Sequence, residues 1–145
     1  MSEDGLGVPR KEKVTEILTM HKSQLAGFII DCQTDDIDQA TVFWSAALGL
    51  SAEVDPDPDG LDYRHLKTQP EEVHIEVQKV DHASRVHLDI ETDDIEAEVA
   101  RLEELGARRI ANIRRWVVME APTGQRFCVV RPQRANFDHA ANLWD

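Results

Sequence analysis

One segment of this chain occurs twice, and that repetition constrains its fold more than any other feature. Residues 34–49 read TDDIDQATVFWSAALG and residues 92–106 read TDDIEAEVARLEELG. Each copy opens on Thr-Asp-Asp-Ile, continues as an amphipathic helix and stops at a glycine, Gly49 or Gly106. Each follows a short apolar strand, GFIIDCQ before the first and RVHLDIE before the second. Two similar strand–helix modules packed as one domain are therefore expected.

The strands that follow each helix complete the module. After the first, LSAEVD (50–55), LDYRHLKT (61–68) and VHIEVQKV (73–80) read as strands, with the turn DPDPDG (55–60) between the first two. After the second come ARRIANI, RRWVVMEA and RFCVVRP (126–132), with a turn at PTGQ (122–125). Each half thus reads β-α-β-β-β, an α+β domain of two tandem modules, 26–80 and 84–132, within a domain spanning 26–132. Thr34 or Asp35 is expected to cap the first helix. Its residues Ile37, Ala40, Val42, Phe43, Ala46, Ala47 and Leu48 are expected to face mainly the core. Trp44 and Phe43 suit the core better than a ligand wall.

Residues 1–25 form an N-terminal extension. Val14, Ile17, Leu18, His21 and Leu25 make one helical stripe, so the spacing predicts a helix over 10–26 ended by Gly27. The tail, 133–145, carries Phe137, Leu143 and Trp144, which suggests packing against that helix or a partner subunit.

Charge narrows the partners. Lys plus Arg is 16 and Asp plus Glu 28, a net charge of −12. Such a surface repels phosphate backbones and anionic membranes, so neither nucleic acid nor membrane is an expected partner. No apolar run reaches the ~18 residues of a membrane span. The start, MSEDGLGVPRKEK, lacks the apolar centre of a signal peptide, so a cytoplasmic protein is expected. Cys32 and Cys128 match no zinc or redox motif and read as free thiols. No nucleophile elbow, phosphate loop or dinucleotide fingerprint is present.

Strand alternation assigns the faces. Phe28, Ile30 and Cys32, Val73, Ile75 and Val77, and Val86, Leu88 and Ile90 should face the helices. The opposite face carries Ile29, Asp31 and Gln33, His74, Glu76 and Gln78, and His87, Asp89 and Glu91. It is either a wet outer surface or the lining of a cavity. His87 suits a metal ligand, a general base or a hydrogen-bonding wall residue. Asp31 and Asp89 occupy equivalent positions in the two modules. They can share a proton, grip a cation, or be neutralised by Arg85, Arg126 or Arg64. Trp116 is the best placed aromatic for stacking on a ligand.

The ordered set Phe43-Trp44, Leu48-Gly49, Gln78, Arg85-Val86-His87-Leu88-Asp89, Trp116-Val117-Val118, Pro122-Thr123-Gly124 and Phe127-Cys128-Val129-Val130 resembles the vicinal oxygen chelate superfamily. That group includes glyoxalase I, bleomycin resistance proteins, fosfomycin resistance proteins and extradiol dioxygenases. The match is best with its glyoxalase-like branch. The resemblance implies a sheet curled into a cup, with helices outside and the polar face inside. It also implies a homodimer as the working expectation. In metal-dependent members, first and last strands of each module supply three or four His, Gln or Glu ligands to a divalent ion. Carried over position by position, the set becomes His87, Ile29, Cys128 and Glu76, with His74 or Gln78 in place of Glu76 if the register slips. Ile29 has no lone pair to offer, and Cys128 stands where a Glu is usual.

Three functional expectations follow. In the first, a small organic molecule binds in the cup without an intact metal site, among Ile29, Asp31, Gln33, Glu76, His87, Asp89, Trp116 and Cys128. In the second, a divalent metal held by His87 and Glu76 supports a lyase, isomerase or dioxygenase reaction, with Glu76 as ligand or base. The third is an interaction module whose extension and Trp144 tail serve assembly.

Overall fold

The computed structural model describes residues 20–54 and 63–145. The turn expected at 55–60 and most of the N-terminal extension lie outside the described residues.

The repeated Thr-Asp-Asp-Ile explains itself in the structure. Helices α1 (Ile37–Leu48) and α2 (Ile95–Glu104) are capped in the same way. Asp36 accepts from the backbone N–H of Asp38 and Gln39, both at 3.1 Å, and Asp94 accepts from Ala97 N–H at 3.1 Å. The threonine two residues earlier accepts from the capping residue's own N–H, Thr34 from Asp36 and Thr92 from Asp94. The cap of α1 is therefore Asp36, not Thr34 or Asp35, which precede it by two residues and one. Gly49 ends α1 in the left-handed region, at φ 69°, and Gly106 follows α2 at φ 106°.

Among the described residues nine strands form one mixed sheet. In chain order they are β1 (His21–Gln33), β2 (Ala52–Val54), β3 (Tyr63–Leu66), β4 (His74–Val80), β5 (Arg85–Thr92), β6 (Arg108–Ile113), β7 (Trp116–Glu120), β8 (Arg126–Val130) and β9 (Asn142–Trp144). Their spatial order is β2-β3-β4-β1-β5-β8-β7-β6, with β9 added to β1. The two modules thus lie side by side and meet where β1 and β5 pair antiparallel. β1–β4 and β5–β8 are the equivalent parallel pairs. This is the α+β, paired-module architecture read from the repeat.

The helix expected over 10–26 is not what the described part forms. His21–Leu25 belong to the 13-residue strand β1. They alternate, with His21 and Ser23 buried on one face and Lys22 and Gln24 half-buried on the other. Pairing with β5 and β9 settles the conformation, and such tertiary pairing overrides weak local preference. A register shift between Leu25 and Gly27 marks a bulge. Gly27 is needed there because a Cβ would lie 2.2 Å from the His74 carbonyl oxygen.

Each module buries its own core on the helix side of the sheet. Ile37, Leu66 and Val77, joined by Cys32, Ala40, Trp44, Leu50 and Ile75, fill the first. Val99, Leu102, Val117, Met119, Phe127 and Val129 fill the second. Two expected faces are corrected. Val42, Phe43, Ala46, Ala47 and Leu48 of α1 are exposed, and so are Val86 and Leu88 at 59% and 43%. α1 packs on β4, β3 and β2 and α2 on β1, β6 and β8, which leaves Val86 and Leu88 at the start of β5 open. Phe43 instead meets Trp44 edge-on at 5.0 Å.

The tail packs on β1. Trp144 donates from Nε1 to Ser23 Oγ at 2.8 Å and carries the Arg101 guanidinium over its ring at 4.0 Å. Beneath it Glu98, fully buried, bonds His21 Nε2 at 2.7 Å and Arg101 at 2.8 and 2.9 Å. Burial alone would raise the Glu98 carboxyl, but Arg101, His21 and Ser23 outweigh it and hold it below the usual carboxylate range. Among the described residues no helix is long and apolar enough to cross a membrane.

Candidate functional site

The face opposite the helices lines one open cleft of about 1550 Å³. Glu53 of β2 and Trp116 of β7 both line it, although five strands separate them in the sheet. The sheet is therefore curled into a cup. Of the two readings of the polar face, the cavity is the one that forms. Asp31, Gln33, Glu76, His87, Asp89, Trp116 and Cys128 all line it.

Register explains what meets at its floor. Ile29 stands opposite Glu76 on one side and His87 on the other. Asp31 is two residues further along β1 on the same face, and it reaches His87. The His87 Nδ1 to Asp31 Oδ2 distance is 2.6 Å. On the other edge of the ring, Nε2 lies 3.3 Å from Asp89 Oδ1. This second contact is an ion contact without hydrogen-bond alignment, since Asp89 Oδ1 counts among the buried atoms lacking a hydrogen-bond partner, as does Asp31 Oδ1. Arg85 Nε is 3.8 Å from Asp31 Oδ2, the one neutralising arginine of the three expected. Arg64 pairs with Asp38 instead, at 3.1 Å, and Arg126 with Glu120, at 3.2 Å.

The electrostatics follow from this packing. Burial opposes charge on His87, but Asp31, then Asp89 and Cys128, outweigh it and push its pKa up to about 12. The ring is an imidazolium at neutral pH, a donor with no lone pair to give. Burial raises the Asp89 carboxyl, and His87 offsets that only in part. Burial likewise pushes the Cys128 thiol up, against the pull of His87, so it stays a neutral thiol.

The donor groups that converge are not the set the resemblance implies. His87, Asp89 and Cys128 do converge, each offering a donor atom within 4.8 Å of the others. Glu76, the expected second ligand, is outside that group, with the side chain of Ile29 between it and His87. Both ring nitrogens of His87 face carboxylates, and an ion at this group would have to displace protons from the imidazole and the thiol. Metal ligation needs a neutral imidazole and a thiolate. Orphaned carboxylate oxygens remain at Asp31 and Asp89 beside this group.

A glyoxalase-like domain model matches residues 27–130, most of the chain. The chain belongs to the glyoxalase-like domain family. Solved structures agree on the fold. Methylmalonyl-CoA epimerase from Mycobacterium tuberculosis superposes with a TM-score of 0.58 at 17% identity, covering 75% of this chain and 87% of the epimerase. A hypothetical protein from Bacillus halodurans gives 0.54 at 17%, over 77% of this chain and 96% of that one. A methylmalonyl-CoA epimerase in complex with methylmalonyl-CoA and ammonium gives 0.55 at 15%, over 77% and 99%. No curated protein matches the chain. The glyoxalase-like domain thus carries the vicinal oxygen chelate fold, as the resemblance implied.

Sequence reasoning passed over part of the wall. His65 and Glu53 lie on strands β3 and β2 in the same row as Glu76, and His65 meets His74 edge-on at 5.3 Å. Arg131 also lines the cleft. Alternation along LDYRHLKT would have placed His65 with Tyr63 on the cup side, had the register of β3 against β4 been known.

Proposed function

We propose that the cup binds a small organic molecule and holds no resident metal ion. The observation that carries this is Ile29, 3% exposed and lying between Glu76 and His87 in register. It replaces a donor with a branched alkyl group at the centre of the expected ligand set. The closed contact of His87 with Asp31 supports the same reading. In this role Asp31, Gln33, Asp89, Trp116 and Cys128 contact the ligand, and the imidazolium of His87 holds a positive charge between Asp31 and Asp89. The fold neighbours that act on methylmalonyl-CoA support a small-molecule cup in general terms. Their 15–17% identity carries no substrate across.

The rival is a divalent-metal-dependent lyase, isomerase or dioxygenase using His87 and Glu76. One experiment separates them: titration of purified protein with zinc, manganese and magnesium, read by calorimetry and by turnover. Weak or absent metal binding is expected. Tight stoichiometric binding with gained turnover, abolished by His87→Ala, overturns the proposal.

Two further readings belong here. A homodimer is supported by the exposed apolar strip of Val86 and Leu88 on the outer face of β5. Sedimentation of the wild type against Leu88→Asp tests it, with a dimer that the charge splits as the expected result. A cytoplasmic setting is supported by two free thiols, Cys32 and Cys128.

A further inference from the structure

One residue of the polar row does not reach the cup. Alternation along β5 puts Glu91 on the same face as His87 and Asp89, yet the cleft lining ends at Asp89 on β5 and at Ile29 on β1. Glu91 is fully buried instead, and its register partner on β1 is Gln24. The bulge between Leu25 and Gly27 brings Gln24 to this face. Ahead of the bulge His21 and Ser23 bond Glu98 and Trp144 on the helix side, whereas beyond it Ile29 and Asp31 line the cleft. Strict alternation would put all four on one side. Lys22 and Gln24 therefore continue the floor of the cup. The segment after β8 covers that floor. Backbone N–H groups of Gln133 and Arg134 donate to Glu91 Oε1 at 2.6 and 2.9 Å. Gln24 Nε2 donates to Glu91 Oε2 at 2.6 Å and to Asn136 Oδ1 at 3.2 Å. The Arg134 guanidinium then reaches past β1, donating to the Leu25 and Glu71 carbonyl oxygens at 3.1 and 2.7 Å.

We infer that residues 131–136 are the end wall of the cup and limit the length of ligand it accepts, with Glu91 as the residue that positions the wall. This inference rests on the reading of the cup as a small-molecule site and adds a limit on ligand size. A carboxyl group bonded to two backbone N–H groups fixes the path of the chain, whatever side chains stand there. That path sets Arg131, Pro132 and Gln133 into the cleft lining. Moving the wall would leave the buried Glu91 oxygens without donors, so the wall is held shut. It leaves about 13 Å of β5, from Asp89 back to Arg85, along the cleft. Gln24, Leu25 and residues 131–136 all fall outside the matched domain, 27–130, so the wall is built mainly from extensions to the shared fold.

The test is calorimetry on the full chain with phenylalkanols of rising chain length, neutral probes whose ring can stack on Trp116. Affinity for the wild type is expected to rise about fourfold with each methylene until the chain meets the wall, and then to stop rising. Arg134→Ala loosens the wall and should move this break to longer probes. Gln133→Trp thickens it, leaves the backbone bonds to Glu91 in place, and should move the break to shorter ones. Glu91→Ala frees both N–H groups and should act as Arg134→Ala does. Circular dichroism shows which variants are folded, and the two surface variants carry the test if Glu91→Ala is not. The shortest probes should bind all folded variants as they bind the wild type. No break in the wild type, a break that stays in place in Arg134→Ala or Gln133→Trp, or a uniform loss at every length overturns the end wall and leaves the small-molecule reading intact. Binding of no probe to the wild type overturns both.

Discussion

Replacing Asp31 by asparagine removes one charge and almost no volume from the centre of the cup. Asp31 is 2% exposed and holds the His87 imidazolium at 2.6 Å. Two unit charges about 4 Å apart attract by about 4 kcal/mol at an effective dielectric near 20. Part of that is offset because the variant no longer buries a carboxylate, and the amide oxygen still accepts from Nδ1. Asp89 remains, at 3.3 Å and poorly aligned. A net loss of about 2–3 kcal/mol is expected, just below the usual cost of breaking a buried pair. Urea unfolding at neutral pH measures it. The pH dependence has a definite sign. His87 has its folded pKa raised from 6.5 to about 12, so its contribution is complete below pH 6.5 and lost as pH rises through 12. Wild type and variant should therefore differ by a constant amount until pH reaches the variant's own, lower His87 pKa, and converge above it. The His87 ring signal in an NMR titration reports that pKa independently. A loss below about 0.5 kcal/mol, as for an ordinary surface change, with an unmoved His87 titration, refutes the reasoning.

Other perturbations follow from the same contacts. Gly27→Ala drives a methyl into the His74 carbonyl and should cost about 1–3 kcal/mol by thermal or urea unfolding; an unchanged midpoint contradicts the close approach. Glu98→Gln strips the charge from the link between α2, His21 and Arg101. Since the Glu98 pKa is lowered, its contribution is present above the normal carboxyl range and lost as pH falls. The gap between wild type and variant should shrink on acidification, and a gap that widens below pH ~4 runs against the assignment. Trp144→Ala should release the tail from Ser23 and Arg101, seen as faster amide exchange along the start of β1; unchanged exchange there means β9 is held by its backbone pairs alone.

Much of the architecture was legible because the repeat aligned two copies of one module. The cup face was legible as well, since alternation puts Ile29 and Asp31, Glu76 and Gln78, and His87 and Asp89 on one side. The start of β1 was not. His21 and Leu25 fall at helical spacing from Ile17 and Leu18, and only partners distant in sequence, Thr92 and Trp144, reveal the strand. Val86 and Leu88 carry the same alternation as a buried face. Their exposure follows from α2 packing on β1, β6 and β8 rather than on the start of β5, which no local pattern encodes. The bond from His87 to Asp31 likewise needs the antiparallel register of β1 against β5. Knowledge of the strands alone leaves Asp89, two residues away, the more obvious partner.

The central claim is that the glyoxalase-like cup works without a metal because Ile29 interrupts the ligand set and Asp31 occupies His87. Elemental analysis of protein purified without added metal, then dialysed against zinc and manganese and desalted, tests it most directly. The account predicts well under one equivalent of any divalent metal per chain, the same for wild type and His87→Ala. One full equivalent retained by the wild type and lost in His87→Ala contradicts it.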